Sequence, residues 1–320
     1  MAPAMYDLGC ANGRDIHRPS PRWTAEIHPL EREVSNEVNG YFLEHWPFPN
    51  EKARKTFVAS GFPRGTCFMF PRARGDYIHF VCRLLTLLFL VDDLLDDMSL
   101  EDGKAYNEKL MALSRGDVRP DRNIPVEYMM WDLWESMRAH DRESADELFE
   151  PAFEFMRAQT HPTRLKHMEF KEYLEYRTVD VGAPFLSALV RYSMALRISP
   201  EDLALVRPVE RNFGKHLAVL NDIYSFEKEL LASQNGHEGG SLCSAVSTLS
   251  DTAGISYESS RRILYALCRE WELTHERLAQ EVLTVKDNET MRAYLKAFEL
   301  QMSGNEEWST TTQRYRVSKV

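Results

Sequence analysis

The sequence predicts an all-α protein folded as a single helical bundle. Three observations carry that reading. Nearly every segment past the N-terminus repeats its apolar residues at helical spacing and is rich in helix formers. No alternating apolar–polar stretch is joined to another by a two-residue hairpin signal. No internal repeat or linker divides the 320 residues, and 43% apolar content is enough for one large core. Fifteen Gly and fifteen Pro exclude collagenous and low-complexity chains, and the apolar share excludes a disordered acidic protein.

Residues 1–24 read as a flexible N-terminal tail ahead of one domain over 25–320. The stretch MAPAMYDLGCANGRDIHRPSPRW lacks a basic segment followed by an apolar one, so a signal peptide is not expected. Helices are expected at about 29–45, 75–97, 124–140, 143–159, 168–181, 202–232, 257–282 and 288–308. Within the second, Phe80 to Val91 is the longest mostly apolar run, interrupted by Arg83 and Thr86. It falls short of the roughly 20 residues a bilayer demands and suits a buried helix, so no membrane span is expected. Pro151 is expected to break 143–159, and Gly182 with Pro184 to end the helix that follows. Ser199-Pro200-Glu201-Asp202 carries the signature of a helix start, with Ser199 as cap and proline first. Asn235 to Gly240 is a breaker loop.

The 49 acidic residues outnumber the 39 Lys and Arg, giving a formal charge of −10. That surplus repels nucleic acid over most of the surface, so no nucleic-acid partner is expected. The five cysteines are scattered, without a CxxC pair or histidines at zinc-finger spacing, which points to a reducing, cytoplasmic setting and no structural zinc.

Two acidic constellations carry chemistry. Asp92-Asp93-Leu94-Leu95-Asp96-Asp97 closes the apolar run at a helix C-terminus, where the macrodipole disfavours negative charge. Asp92 with Asp96, and Asp93 with Asp97, are i, i+4 neighbours, and either pair can offer oxygens to a hard cation; a solvated acidic helix end is the alternative. Downstream, Asn221, Ser225 and Glu229 recur every four residues and share one helix face. Amide, hydroxyl and carboxylate oxygens suit magnesium better than zinc, while the alternative is an ordinary polar stripe.

Together, an Asp-rich element and an Asn-x-x-x-Ser-x-x-x-Glu element about 130 residues downstream in an all-helical chain resemble the class I terpene cyclases. Arg177, 44 residues before Asn221, matches that family's diphosphate-sensing arginine, Lys228 lies inside the second element, and Arg314-Tyr315 matches its C-terminal Arg-Tyr pair. Segments such as Tyr41-Phe42-Leu43, Trp46-Pro47-Phe48, Leu133 to Arg138, Arg269 to Glu272 and Gly304 to Ser309 extend the resemblance, over roughly 28–317, to the fungal aristolochene synthases. The resemblance implies the class I terpenoid synthase bundle and a lyase that ionises farnesyl diphosphate and cyclises the cation, by way of germacrene A, to aristolochene. It implies three Mg2+ ions, held by Asp92 on one side and by Asn221, Ser225 and Glu229 on the other, with Asp96 behind Asp92. Arg177, Lys228, Arg314 and Tyr315 would bind the diphosphate. Phe89, Phe155 and Trp308 would line the cavity and shelter the cation, each with core packing as the alternative. The helix break at Asp180-Val181-Gly182 would set a carbonyl toward the allylic cation. Homo-oligomers also follow from the resemblance.

Three positions depart from the family pattern: Met69 stands where a tyrosine is expected, Ala183 replaces a lysine after Val181-Gly182, and Asp96 ends the Asp-rich element in place of glutamate. Germacrene A or another bicyclic hydrocarbon is therefore the alternative product. A chain-elongating prenyltransferase would carry a second Asp-rich element in place of Asn221, Ser225 and Glu229, and a non-catalytic helical scaffold would not require the full set of ligands and cations.

Overall fold

The apolar run ahead of the acidic cluster forms a helix buried on nearly all its faces, with Val81, Leu84, Leu85, Leu87, Leu88 and Val91 all inside. In this computed structural model, which describes residues 19–316, that helix is α4 (Ile78–Leu95), and the bundle is built around it. The helices before it are α1 (Glu31–His45), α2 (Glu51–Ser60) and α3 (Phe62–Met69). After it come α5 (Leu100–Arg115), α6 (Pro125–His140), α7 (Arg142–Asp146), α8 (Phe149–Gln159), α9 (Phe170–Asp180) and α10 (Ala183–Met194). The chain ends in α11 (Pro200–Ala232), α12 (Ala245–Ala253), α13 (Tyr257–Val285) and α14 (Glu289–Thr311). The described residues contain no strand, and none of their helices is long and apolar enough to cross a membrane.

Caps set the boundaries. The Ser199 hydroxyl accepts from Asp202 N at 3.2 Å and Pro200 opens α11, as the sequence signature predicts. Asn50 caps α2 through Ala53 N at 2.9 Å, and Ser99 caps α5 through Asp102 N at 3.0 Å. Gly182, at φ +78°, turns the chain between α9 and α10 with no side chain to resist the left-handed conformation.

α11 runs along α13 and α14, and α3 is wedged between α14 and α4. A second core joins α9, α11, α12 and α13 through Tyr173, Leu220, Phe226, Leu264 and Cys268. Four cysteines, Cys67, Cys82, Cys243 and Cys268, are buried free thiols; Cys10 lies outside the described residues.

Three expectations are corrected. The break near Pro151 falls instead at Glu147-Leu148, because Pro151 sits in the first turn of α8, where no backbone N–H is required. Five helices that the periodicity left unassigned are α2, α3, α5, α10 and α12: α2, α3 and α12 are short, α5 buries one face, and α10 is buried on most sides, so it shows little polar–apolar contrast. Of the expected 1–24 tail, residues 1–18 lie outside the described residues, while 19–24 are fastened to α13. Arg269 Nε donates to Pro19 O at 3.1 Å, Arg22 N to Glu272 at 2.9 Å and Trp23 Nε1 to Glu276 at 3.2 Å.

α14 approaches α3 at Gly304, where a Cβ would lie 2.1 Å from the Phe68 carbonyl oxygen. Both partners are backbone, so neither can swing aside. Gly304→Ala is expected to destabilise the fold by roughly 1–3 kcal/mol, read as a lowered urea midpoint at unchanged slope.

Candidate active site

The C-terminal ends of α4 and α11, the α9–α10 break, α8, and α14 with the segment after it enclose a cavity that is open at its mouth. Its depth is apolar, with Met69, Leu88, Phe89, Phe155, Phe185 and Trp308; its rim is charged. Every residue singled out from the sequence for this site lines that one cavity: Asp92, Asp96, Arg177, Asn221, Ser225, Lys228, Glu229, Arg314, Tyr315, Phe89, Phe155 and Trp308. Asp97, on the far side of the acidic helix end, is exposed.

On the α4 side, Asp93 is the hub. Arg314 grips it with both guanidinium ends, at 3.0 and 2.9 Å, and Lys228 Nζ donates to it at 3.0 Å. Burial alone would raise its pKa, but the Arg314 and Lys228 charges hold it at about 2. Asp96 has the opposite balance: burial and the neighbouring Asp92 charge push it up to about 7 against the pull of Lys228, 3.4 Å away. Asp92 accepts from Gln159 Nε2 at 2.8 Å and keeps its other oxygen 3.8 Å from Arg314.

On the α11 side, the stripe faces the cavity as its spacing predicts. Ser225 Oγ donates to Glu229 at 2.6 Å, so these two oxygens already sit side by side. The Asn221 oxygen accepts from Arg177 Nη2 at 3.0 Å, and its amide donates to the Tyr315 hydroxyl at 3.0 Å. Arg177 is also paired with Asp180 and, through Nε at 3.0 Å, with Asp222. The i, i+3 pairing of Arg177 with Asp180 is a buried pair on the cavity wall. Burial works against the guanidinium charge, and Asp222 and Asp180 overcome it, raising Arg177 above its ordinary value. Asp222 is fully buried; desolvation lifts it to about 6 even beside Arg177, and the Tyr173 hydroxyl and Ala245 N satisfy its second oxygen.

The aromatic wall is tightly fitted. Phe89 stacks on Phe62 at 4.8 Å, Trp308 lies 5.7 Å from Phe89, and Arg314 covers Phe62 and Phe89 at 5.0 and 5.3 Å. Trp308 presses on Gly65, where a Cβ would meet the indole at 2.8 Å. Phe155 stacks with Phe185 at 6.2 Å and closes over Gly182, where a Cβ would meet its ring at 3.2 Å. Of the departures, Met69 lies on the cavity wall, whereas Ala183 packs toward Gly214 behind it.

Among the described residues no three His, Cys, Asp or Glu side chains form a ready metal cage. The oxygens available are Asp92 on one helix and Asn221, Ser225 and Glu229 on another, the sparse carboxylate set that suits a magnesium ion completed by waters and substrate phosphates. Several groups at the rim have no signal in the sequence pattern. Gln159, which orients Asp92, is one polar residue at a helix end, and Asp222 is buried next to Asn221, off the stripe but holding the same Arg177. Arg164 is a third, brought to the wall by a short 3-10 turn over Pro162–Leu165.

An apolar, aromatic chamber capped by a hard-oxygen and cation rim defines a protein that binds a polyanion by its head and encloses an apolar tail. The chain belongs to the terpene synthase family: the model described as "Terpene synthase family 2, C-terminal metal binding" matches residues 83–273, so divalent metal binding belongs to this fold. It is 59% identical to an aristolochene synthase from Aspergillus terreus over 305 residues, covering 94% of this chain and 95% of that protein. It is 57% identical to (+)-aristolochene synthase TS1 of Penicillium expansum, covering 90% and 88%. The crystal structure of aristolochene synthase from Penicillium roqueforti superposes with a TM-score of 0.82 at 49% identity, covering 92% of this chain and all of that one.

The depressed Asp93 pKa makes a prediction for the metal-free protein. A carboxylate held low contributes stability above its ordinary value of 3.8 and loses that contribution as the pH falls toward about 2. Asp93→Asn is therefore expected to be less stable than wild type at neutral pH, with the gap closing over that acid window in urea melts. Asp93 is partly exposed, so the gap is held to about 1 kcal/mol.

Proposed function

We propose that this protein is a magnesium-dependent sesquiterpene cyclase that ionises farnesyl diphosphate and closes the resulting cation, by way of germacrene A, to aristolochene. The observation that supports it most is the pairing of two separated oxygen-donor sets with a cationic rim, directly over an aromatic chamber. A diphosphate departs as a strongly charged anion, and fixed positive centres around its oxygens lower that barrier.

Asp92 would hold magnesium from α4, and Asn221, Ser225 and Glu229 from α11, with three ions in all and Asp96 behind Asp92. When bound, magnesium held by these residues would supply Lewis-acid charge for the departing diphosphate. Arg177, Lys228, Arg314 and Tyr315 would donate hydrogen bonds to it, exchanging their present carboxylate and amide partners for phosphate oxygens. Phe89, Phe155 and Trp308 face the cation with electron-rich rings that cannot trap it as water would, and the apolar depth keeps water out. The Val181 region at the α9–α10 break contributes backbone to the same wall. A homo-oligomeric assembly is part of the same reading, checked by light scattering; a monomer mass at working concentration would remove it.

A second product follows from Met69. A thioether in place of a phenol on the wall removes a hydroxyl and changes the volume, so germacrene A or another bicyclic hydrocarbon competes with aristolochene. The α11 stripe, which carries one carboxylate and not a second Asp-rich run, speaks against a prenyltransferase.

Incubation with farnesyl diphosphate and magnesium should yield a cyclic hydrocarbon by gas chromatography and mass spectrometry; substrate recovered intact overturns the reading. Asn221→Ala and Glu229→Ala should each lower turnover by roughly 100-fold or more with an unchanged circular dichroism spectrum. Full activity in either variant removes that ligand. Met69→Tyr should redistribute the products, and an unaltered profile would show that residue 69 does not shape the chamber.

A further inference from the structure

Four basic side chains line the cavity: Arg164, Arg177, Lys228 and Arg314. Three are already paired with carboxylates. Arg177 is held by Asp180 and Asp222, Lys228 by Asp93 and Asp96, and Arg314 by Asp93. To bind a phosphate, each must give up an existing partner.

Arg164 differs. Among the described residues it forms no ion pair; one guanidinium nitrogen donates to the Gln159 carbonyl at the end of α8, and its buried Nε finds no acceptor at all. Burial lowers and Asp180, with Asp92 and others, raises its pKa, and the net is upward, so the charge persists. A buried donor left idle is costly unless a ligand arrives to use it. Its Gln159 anchor also donates to Asp92, which places Arg164 beside the α4 half of the proposed metal site. On its other side Arg164 borders an outer groove with Lys166 and His167, separate from the main cavity.

We infer that Arg164 is a further substrate-binding residue, the cation that engages the diphosphate first, before magnesium and the three paired cations rearrange around it. The inference rests on the diphosphate-lyase reading above. It assigns an order to binding: an unpaired donor acts without exchange, whereas the others act only after leaving their carboxylate partners.

The test is titration calorimetry of the full-length protein with inorganic pyrophosphate in EDTA, with farnesol as an uncharged second probe. Arg164→Gln is expected to weaken metal-free pyrophosphate binding roughly tenfold or more, with farnesol binding unchanged. Lys166→Gln, which removes a nearby charge outside the cavity, should change pyrophosphate affinity by less than about threefold under the same conditions. Wild-type affinity in Arg164→Gln overturns the proposal. So does a parallel loss of farnesol binding, which would make Arg164 only a cap on α8, or an absence of metal-free pyrophosphate binding in the wild type. If the glutamine variant does not fold, Arg164→Lys is measured instead; it keeps the charge and loses the fork, and about threefold weaker binding is expected, with no change counting against the proposal. Failure of the lyase reading would appear separately, as intact farnesyl diphosphate after incubation with the wild type.

Discussion

Asp93 ties three parts of the chain to one carboxylate. It lies at the end of α4, takes both guanidinium ends of Arg314 from beyond α14, and accepts Lys228 from α11. The rim of the cavity is thus held together by charge compensation, and the chamber beneath by apolar packing. The two are linked by geometry, because Arg314 lies flat over Phe62 and Phe89 as it reaches Asp93. Displacing that guanidinium would uncover the rings as well as free the carboxylate.

The same interaction resolves the conflict between an acidic protein and an anionic substrate. A formal charge of −10 describes the whole surface. At the rim, carboxylates are spent on arginine and lysine, and what an incoming diphosphate meets is the balance of those pairs together with any bound metal. Neighbouring aspartates illustrate how local this balance is: Asp93 is held near 2 and Asp96 near 7, although they are only three residues apart on one helix.

Much of this was legible in the sequence, for identifiable reasons. α4 announces itself as a long, mostly apolar run, α11 by its Ser-Pro start, and the Asn221, Ser225, Glu229 stripe by a period that survives folding because one rigid helix carries all three. Features that depend on the partner surface were not legible. Pro151 reads as a breaker until its position in the first turn of α8 is known. Residues 19–24 read as tail because their partners, Arg269, Glu272 and Glu276, lie some 250 residues away. Gln159 and Arg164 belong to a helix end and a short turn, where no periodicity marks the side that faces the cavity.

Gly65 and Gly182 stand behind the indole of Trp308 and the ring of Phe155: Gly65 leaves no room for even a methyl group, and at Gly182 a methyl group would fit only if the ring yielded by a few tenths of an ångström. The rings are thereby set by backbone and cannot swivel outward on a cushion of side chains. The chamber works as a mould with a hard backing: its contour is written in the small residues behind the aromatic surface as much as in the surface itself. A lineage exploring new hydrocarbon skeletons could reshape the mould from behind, by changing what the rings lean on, while leaving every ring that lines the chamber in place.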